Sequence, residues 1–172
     1  MPIYYYKPKF FSQSTKPVDV YDDDDNAVFK IARYHKSNWD KFRVYDQEHF
    51  SVYDSSNNEI AYSEQKTRFS RPKWEVRFGQ SLDDSLTFTN MSTFTKHNYE
   101  FDYEGKSFEL RKTLGSTINY LYVDGSEFAS VTYGSKLLSF NNPTVYIEIE
   151  DESHIPTEAL ICIVQTYNGV GK

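Results

Sequence analysis

Between residues 66 and 77 the chain reads KTRFSRPKWEVR, with Lys66, Arg68, Arg71, Lys73 and Arg77 set against one carboxylate, Glu75, for a net charge of +4. Cations at this density beside Phe69 and Trp74 are the residue types that hold an anionic phosphate headgroup. Guanidinium groups match phosphate oxygens in a forked geometry, and aromatic rings suit the boundary between headgroups and acyl chains. The same string also fits the solvated outer face of a strand, where charges of alternating sign are ordinary and Trp74 belongs to the core. A second basic stretch, Lys30, Arg33, Lys36, Lys41 and Arg43 against Asp40, also sums to +4. The compensating acid lies at Asp19 and Asp22 to Asp25, and at Glu148, Glu150, Asp151 and Glu152. Whether the two basic stretches share a surface depends on the strand order.

Other chemistries have weaker footing. In YDDDDNAVFK, an EF-hand loop started at Asp22 would put Asp24 and Asn26 on ligand positions. It would also put Ala27 where glycine is needed and Arg33 where the bidentate glutamate belongs. The expectation is a solvated acidic turn, with weak cation binding as the alternative. His35, His49, His97 and His154 lack metal-ligand spacing, and no second cysteine stands beside Cys162 to join them. Pairs such as Asp83 and Asp84 are too common in an acidic protein to signal glycosidase chemistry. There is no nucleophile elbow and no glycine-rich phosphate loop. The expectation is therefore a binding module that is not an enzyme and needs no cofactor or metal.

The elements that position these residues follow from composition and period. A chain of 172 residues with net charge −6 fits one domain over residues 1–172 and is not built to collect nucleic acid. The 15 Tyr and 13 Phe against 7 Gly favour strands. From about residue 28 the period is two. Phe42 and Val44, then Phe50 and Val52, alternate before SSNN and EIAYSE, which reads as a hairpin. Tyr99, Phe101 and Tyr103 lead to Glu104-Gly105, with Phe108 and Leu110 beyond it. INYLYVDGSEFASVTY turns at Asp124-Gly125, where glycine supplies a positive φ. Trp74, Val76 and Phe78, Leu86 and Phe88, and Val145, Ile147 and Ile149 complete ten to twelve antiparallel strands.

One helix is expected at about 156–168, with Pro156 in the first position, Glu158 near the positive end of the dipole and Gly169 as a left-handed stop. Ala159, Leu160, Ile161, Cys162, Ile163 and Val164 leave it no polar face, so it must be enclosed. About a dozen residues cannot cross a bilayer, so the enclosure is protein and no transmembrane segment is expected. So many strands must close or split to hide their edges, and a closed barrel must be filled. The helix is the element able to fill it, with Cys162 as a buried, unreactive thiol. The start, MPIYYYKPKFF, lacks the apolar core of a secretory signal, so cytoplasmic residence is the expectation.

The FSVYDSSNNEIAY, YEFDYEGKSFELRK and YVDGSEFASVTY hairpins, followed by HIPTEALICIVQTYN, resemble in their order the tubby C-terminal-like superfamily. That superfamily includes tubby domains, phospholipid scramblases and LURP-one-related proteins, and the size is similar to its small bacterial members. The resemblance implies a closed twelve-stranded antiparallel barrel around a hydrophobic C-terminal helix. Tubby domains bind phosphoinositides through basic side chains on the barrel exterior. The expected ligand is therefore an anionic phospholipid headgroup at a membrane surface, held by Lys66, Arg68, Arg71, Lys73 and Arg77. The alternative is a protein-interaction module, an adaptor or an immunity-type partner, with no lipid ligand. The cysteine-rich palmitoylation segment of scramblases has no counterpart here, so scramblase activity is not expected.

Overall fold

The structure, a computed structural model, describes residues 1–8, 14–36, 49–67, 71–93, 97–112, 116–134 and 143–170. Twelve strands precede one helix: β1 (Ile3–Tyr6), β2 (Val18–Tyr21), β3 (Ala27–Arg33), β4 (Phe50–Asp54), β5 (Glu59–Thr67), β6 (Lys73–Phe78), β7 (Asp84–Asn90), β8 (His97–Tyr103), β9 (Lys106–Lys112), β10 (Ile118–Val123), β11 (Ser126–Gly134), β12 (Thr144–Ile149) and α1 (Thr157–Val170). The strands form one closed antiparallel barrel in which each pairs with its chain neighbours, and β1 closes the ring against β12. Closure leaves no free edge. The expected strand through Phe42 and Val44 lies outside the described residues.

Period-two alternation fills the lumen from every side. Trp74, Val76 and Phe78 point inward from β6, as do Phe108 and Leu110 from β9, and Val145, Ile147 and Ile149 from β12. Phe101 stacks on Phe108 at 4.7 Å, and Phe88 on Tyr99 at 5.0 Å. On the outside, Tyr5 stacks between Tyr21 and Tyr146, covering the closure from β2 across β1 to β12. The Tyr5 hydroxyl donates to Asp25, and this bond raises its pKa to about 12. The register of β7 with β8 is short, Thr89 opposite Glu100 and Asn90 opposite Tyr99, and just beyond it the Met91 N–H donates to the Asn98 carbonyl at 2.8 Å.

At one end of the barrel the strands are joined by tight turns. Glu104-Gly105 and Asp124-Gly125 have positive φ at both residues, the geometry that matches strand twist. Two further turns are built alike from Tyr-Asp-x-x-x-Asn. Asp22 Oδ1 accepts from the backbone N–H groups of Asp24 and Asn26, while Asn26 Nδ2 donates to Asp22 Oδ2. Asp54 does the same with Ser56 and Asn58. Asp25 and Asn57 take the left-handed position, φ 63° and 64°. The acidic run is thus a turn whose first carboxylate is occupied by its own loop. Among the described residues no group of three or more His, Cys, Asp or Glu is placed to hold a metal ion.

Bonds from Asn26 hold Asp22 below the usual carboxylate range, and bonds from the Asn58 side chain and backbone do the same for Asp54. A carboxyl whose folded pKa is depressed stabilises the fold fully above its unfolded value of about 3.9 and loses that contribution as pH falls through the lower folded value. Asp54→Ala is therefore expected to melt below wild type at pH 6, and the gap should narrow steadily below pH 4. Thermal melts across that range check it, and a gap independent of pH would contradict the turn's role.

The helix is enclosed as expected, with Ala159 to Val164 all at 0% exposure. Its ends differ from the sequence-based reading. Pro156 stands just outside, its carbonyl accepting from the Leu160 N–H at 3.1 Å, and Gly169 continues the helix instead of stopping it. Packing along the length outweighs the cost of about 1 kcal/mol for an interior glycine. The helix lies closest to β4, β5 and β6. There Ser63 Oγ accepts from the Phe50 N–H at 3.3 Å, and the Thr166 hydroxyl lies 2.7 Å from both Ser63 Oγ and the Cys162 carbonyl. Near the helix C-terminus the Tyr133 hydroxyl accepts from Asn119 Nδ2 at 3.0 Å and donates to Asn168 Oδ1.

Candidate functional site

The cationic stretch falls on the end of β5, the following connection and β6. β6 alternates in register with its neighbours, so Lys73, Glu75 and Arg77 face outward while Trp74 is 1% exposed. The indole stacks obliquely with Phe88 and Tyr99 in the core. Of the two readings of Trp74, the core is the one the structure shows. Phe69 and Arg68 lie outside the described residues.

The remaining four cations divide into two pairs. Glu64 on β5 and Glu75 on β6 stand directly opposite each other in the register, two like charges that need cations between them. A bulge between Gln65 and Thr67 puts both Lys66 and Thr67 on the exposed side. From there Lys66 Nζ reaches Glu64 at 3.0 Å and Glu75 at 2.7 Å, and Arg77 Nε reaches Glu75 at 2.7 Å. Lys36, from the second basic stretch, also pairs with Glu64. The two stretches therefore meet on this wall. The hydrogen bond from Lys66 is the first reason that Glu75 stays below the usual carboxylate range. Burial opposes the same shift at Glu64, where bonds from Lys36 and Lys66 prevail. Exposed pairs of this kind contribute little, because solvent screens them. The chain Lys36–Glu64–Lys66–Glu75–Arg77 is close to neutral and has little charge left for a ligand.

Arg71 and Lys73 are different. Both are exposed, and neither has a carboxylate partner among the described residues. Arg71 Nη1 lies 3.8 Å from Met91 Sδ, and its carbonyl accepts from the Thr67 hydroxyl. These two cations sit at the end of the barrel opposite the tight turns, where β5 gives way to β6. A groove of about 400 Å³ runs across the outer wall beside the short β7–β8 pairing, lined by Lys66, Glu75, Ser85, Leu86, Thr87 and Asp102. Two carboxylates against one cation make it unsuited to an anion.

Nucleophilic and acid–base candidates are occupied structurally. Cys162 is fully buried, and burial raises its pKa to about 12. His49 is buried, its Nδ1 accepting from the Gln65 N–H, with the ring stacked on Tyr34.

The described residues define a class of domain in which twelve antiparallel strands close around their own C-terminal helix and apolar side chains fill the lumen. Residues 4–169 match the tubby C-terminal like domain, and the chain belongs to that family. The crystal structure of a protein from Arabidopsis thaliana is similar, with a TM-score of 0.57 at 14% identity, covering 97% of this chain and 89% of that one. At that identity the likeness concerns the fold. No curated protein matches the chain. Among the described residues no helix is long and apolar enough to cross a membrane.

Proposed function

We propose that the chain is a non-enzymatic module that docks on an anionic phospholipid surface through Arg71 and Lys73, with Arg68 beside them in the sequence. The observation that carries this reading is the division of the cations: Lys66 and Arg77 are neutralised by Glu64 and Glu75, whereas Arg71 and Lys73 are exposed and unpaired among the described residues. Family membership supports it, since tubby domains bind phosphoinositides through exterior basic side chains. Within the family we read the chain as a small bacterial-type member of the scramblase and LURP-one-related branch, on the order of the hairpins quoted above. The protein would be cytoplasmic and peripheral to the membrane.

Co-sedimentation with neutral, phosphatidylserine-containing and phosphoinositide-containing vesicles at low salt tests the proposal. Wild type is expected to pellet with the anionic vesicles only. Arg71→Glu/Lys73→Glu, with folding checked by circular dichroism, should bind at least about 100-fold more weakly, since each reversal replaces an attraction of about 1 kcal/mol by a repulsion. No binding by wild type to any anionic vesicle would refute the proposal.

A second reading, a protein-interaction module of adaptor or immunity type, is favoured by the tight-turn end. The connections 22–26, 55–58, 79–83, 104–105, 124–125 and 150–156 hold ten Asp or Glu and neither Lys nor Arg. A single stoichiometric partner with a basic surface, recovered by pull-down, would support it.

A further inference from the structure

We propose that the barrel meets an anionic membrane end-on, through a ring of cations at the rim where the helix ends, with the acidic turns facing away. The inference rests on the lipid reading above and adds to it the orientation and the residues outside the 66–77 stretch.

In an up-and-down barrel every second connection lies at the same end. The six tight connections, with their ten carboxylates, lie where α1 begins. At the other rim the exposed cations among the described residues, apart from Lys36, which Glu64 holds, are Lys7 after β1, Lys16 before β2, Arg71 and Lys73 at β6, and Lys112 ending β9. They surround the barrel: β2 lies four strands from β6 in one direction, and β9 three strands in the other. The polarity matches the helix dipole, with carboxylates at its positive end and cations at its negative end.

The 14-residue helix separates the two ends by about 21 Å. The Debye length at physiological salt is about 8 Å. Docked by the rim, the barrel presents its cations to the lipid while the carboxylates stand more than two Debye lengths away. Docked by its wall, it would bring both ends close, and the net charge of −6 would oppose contact.

Vesicle binding of three variants decides between these orientations. Lys16→Glu/Lys112→Glu alters the rim far from β6, Arg77→Glu alters the wall, and Arg71→Glu/Lys73→Glu is the reference. End-on docking predicts a loss of at least about 30-fold for the remote rim pair and less than about 3-fold for Arg77→Glu. A remote pair that binds like wild type while Arg71→Glu/Lys73→Glu fails would overturn the inference and leave the lipid reading standing. Absence of wild-type binding would sink both. A fluorophore readout keeps the test open should a variant misfold: Thr117→Cys at the rim and Ser55→Cys in a turn label selectively because Cys162 is buried. A lipid-borne quencher should quench the first label and spare the second. Equal quenching would contradict end-on docking.

Discussion

Leu160→Ala is expected to cost about 3 kcal/mol of stability and to lower the thermal midpoint by roughly 6–12 °C. Leu160 has 0% exposure, and the helix that carries it is wrapped by strands on every side. A closed barrel can contract only by bending twelve paired strands at once, so the cavity stays largely open and about 3 kcal/mol is the least the loss should be within the range for buried leucines. Ile161→Val, which removes one methylene from the same turn, should cost only about 1 kcal/mol. Urea unfolding measures both. A loss below about 1 kcal/mol for Leu160→Ala would mean that the helix does not fill the lumen.

Cys162 should react with a thiol reagent at pH 8 at least about 10³-fold more slowly in the folded protein than in urea. Two effects combine. The side chain has no access to solvent, and burial lifts the thiol to about 12, so very little thiolate forms at pH 8. Labelling then requires an opening that withdraws the helix from β4 and β5, breaking the bond between Thr166 Oγ1 and Ser63 Oγ and the contact of Cys162 Sγ with the Phe50 carbonyl. The two experiments are coupled. A destabilisation of about 3 kcal/mol by Leu160→Ala should speed labelling roughly 100-fold if opening and unfolding are the same event. Rapid labelling of native protein would show that the helix leaves the barrel independently.

The barrel was legible because its signals are local. Glu104-Gly105 and Asp124-Gly125 announce hairpins, and alternation assigns Trp74, Val76 and Phe78 to one face whatever the neighbours are. The apolar helix followed from the absence of any polar face between Ala159 and Val164. The kinship of the turns at Asp22 and Asp54 was also available, since Tyr-Asp precedes and Asn follows four positions later in both. Read together, those spacings add to the expected acidic turn the detail that its first carboxylate closes its own loop.

The site was less legible for a physical reason. Five cations in twelve residues look equivalent in the linear string, but their charge depends on what stands across the sheet. Glu64 lies two residues from Lys66 in sequence, but that it faces Glu75 is a property of the β5–β6 register. The bulge at Gln65 and Thr67, invisible to periodicity, settles where Lys66 sits. Trp74 could be core or interface until the inward face of β6 was fixed. By contrast, the gathering of Lys16, Lys112 and Lys73 at one rim needs only the up-and-down order, with no side-chain detail.

The most direct test of the account is the salt dependence of wild-type binding to phosphoinositide-containing vesicles. A cationic rim on an acidic protein should bind at about 0.05 M salt, where the Debye length exceeds 10 Å, and should release by about 0.5 M, where screening removes the attraction. Binding that is absent at low salt, or that persists unchanged at high salt, would contradict a surface held by Arg71, Lys73 and the rim.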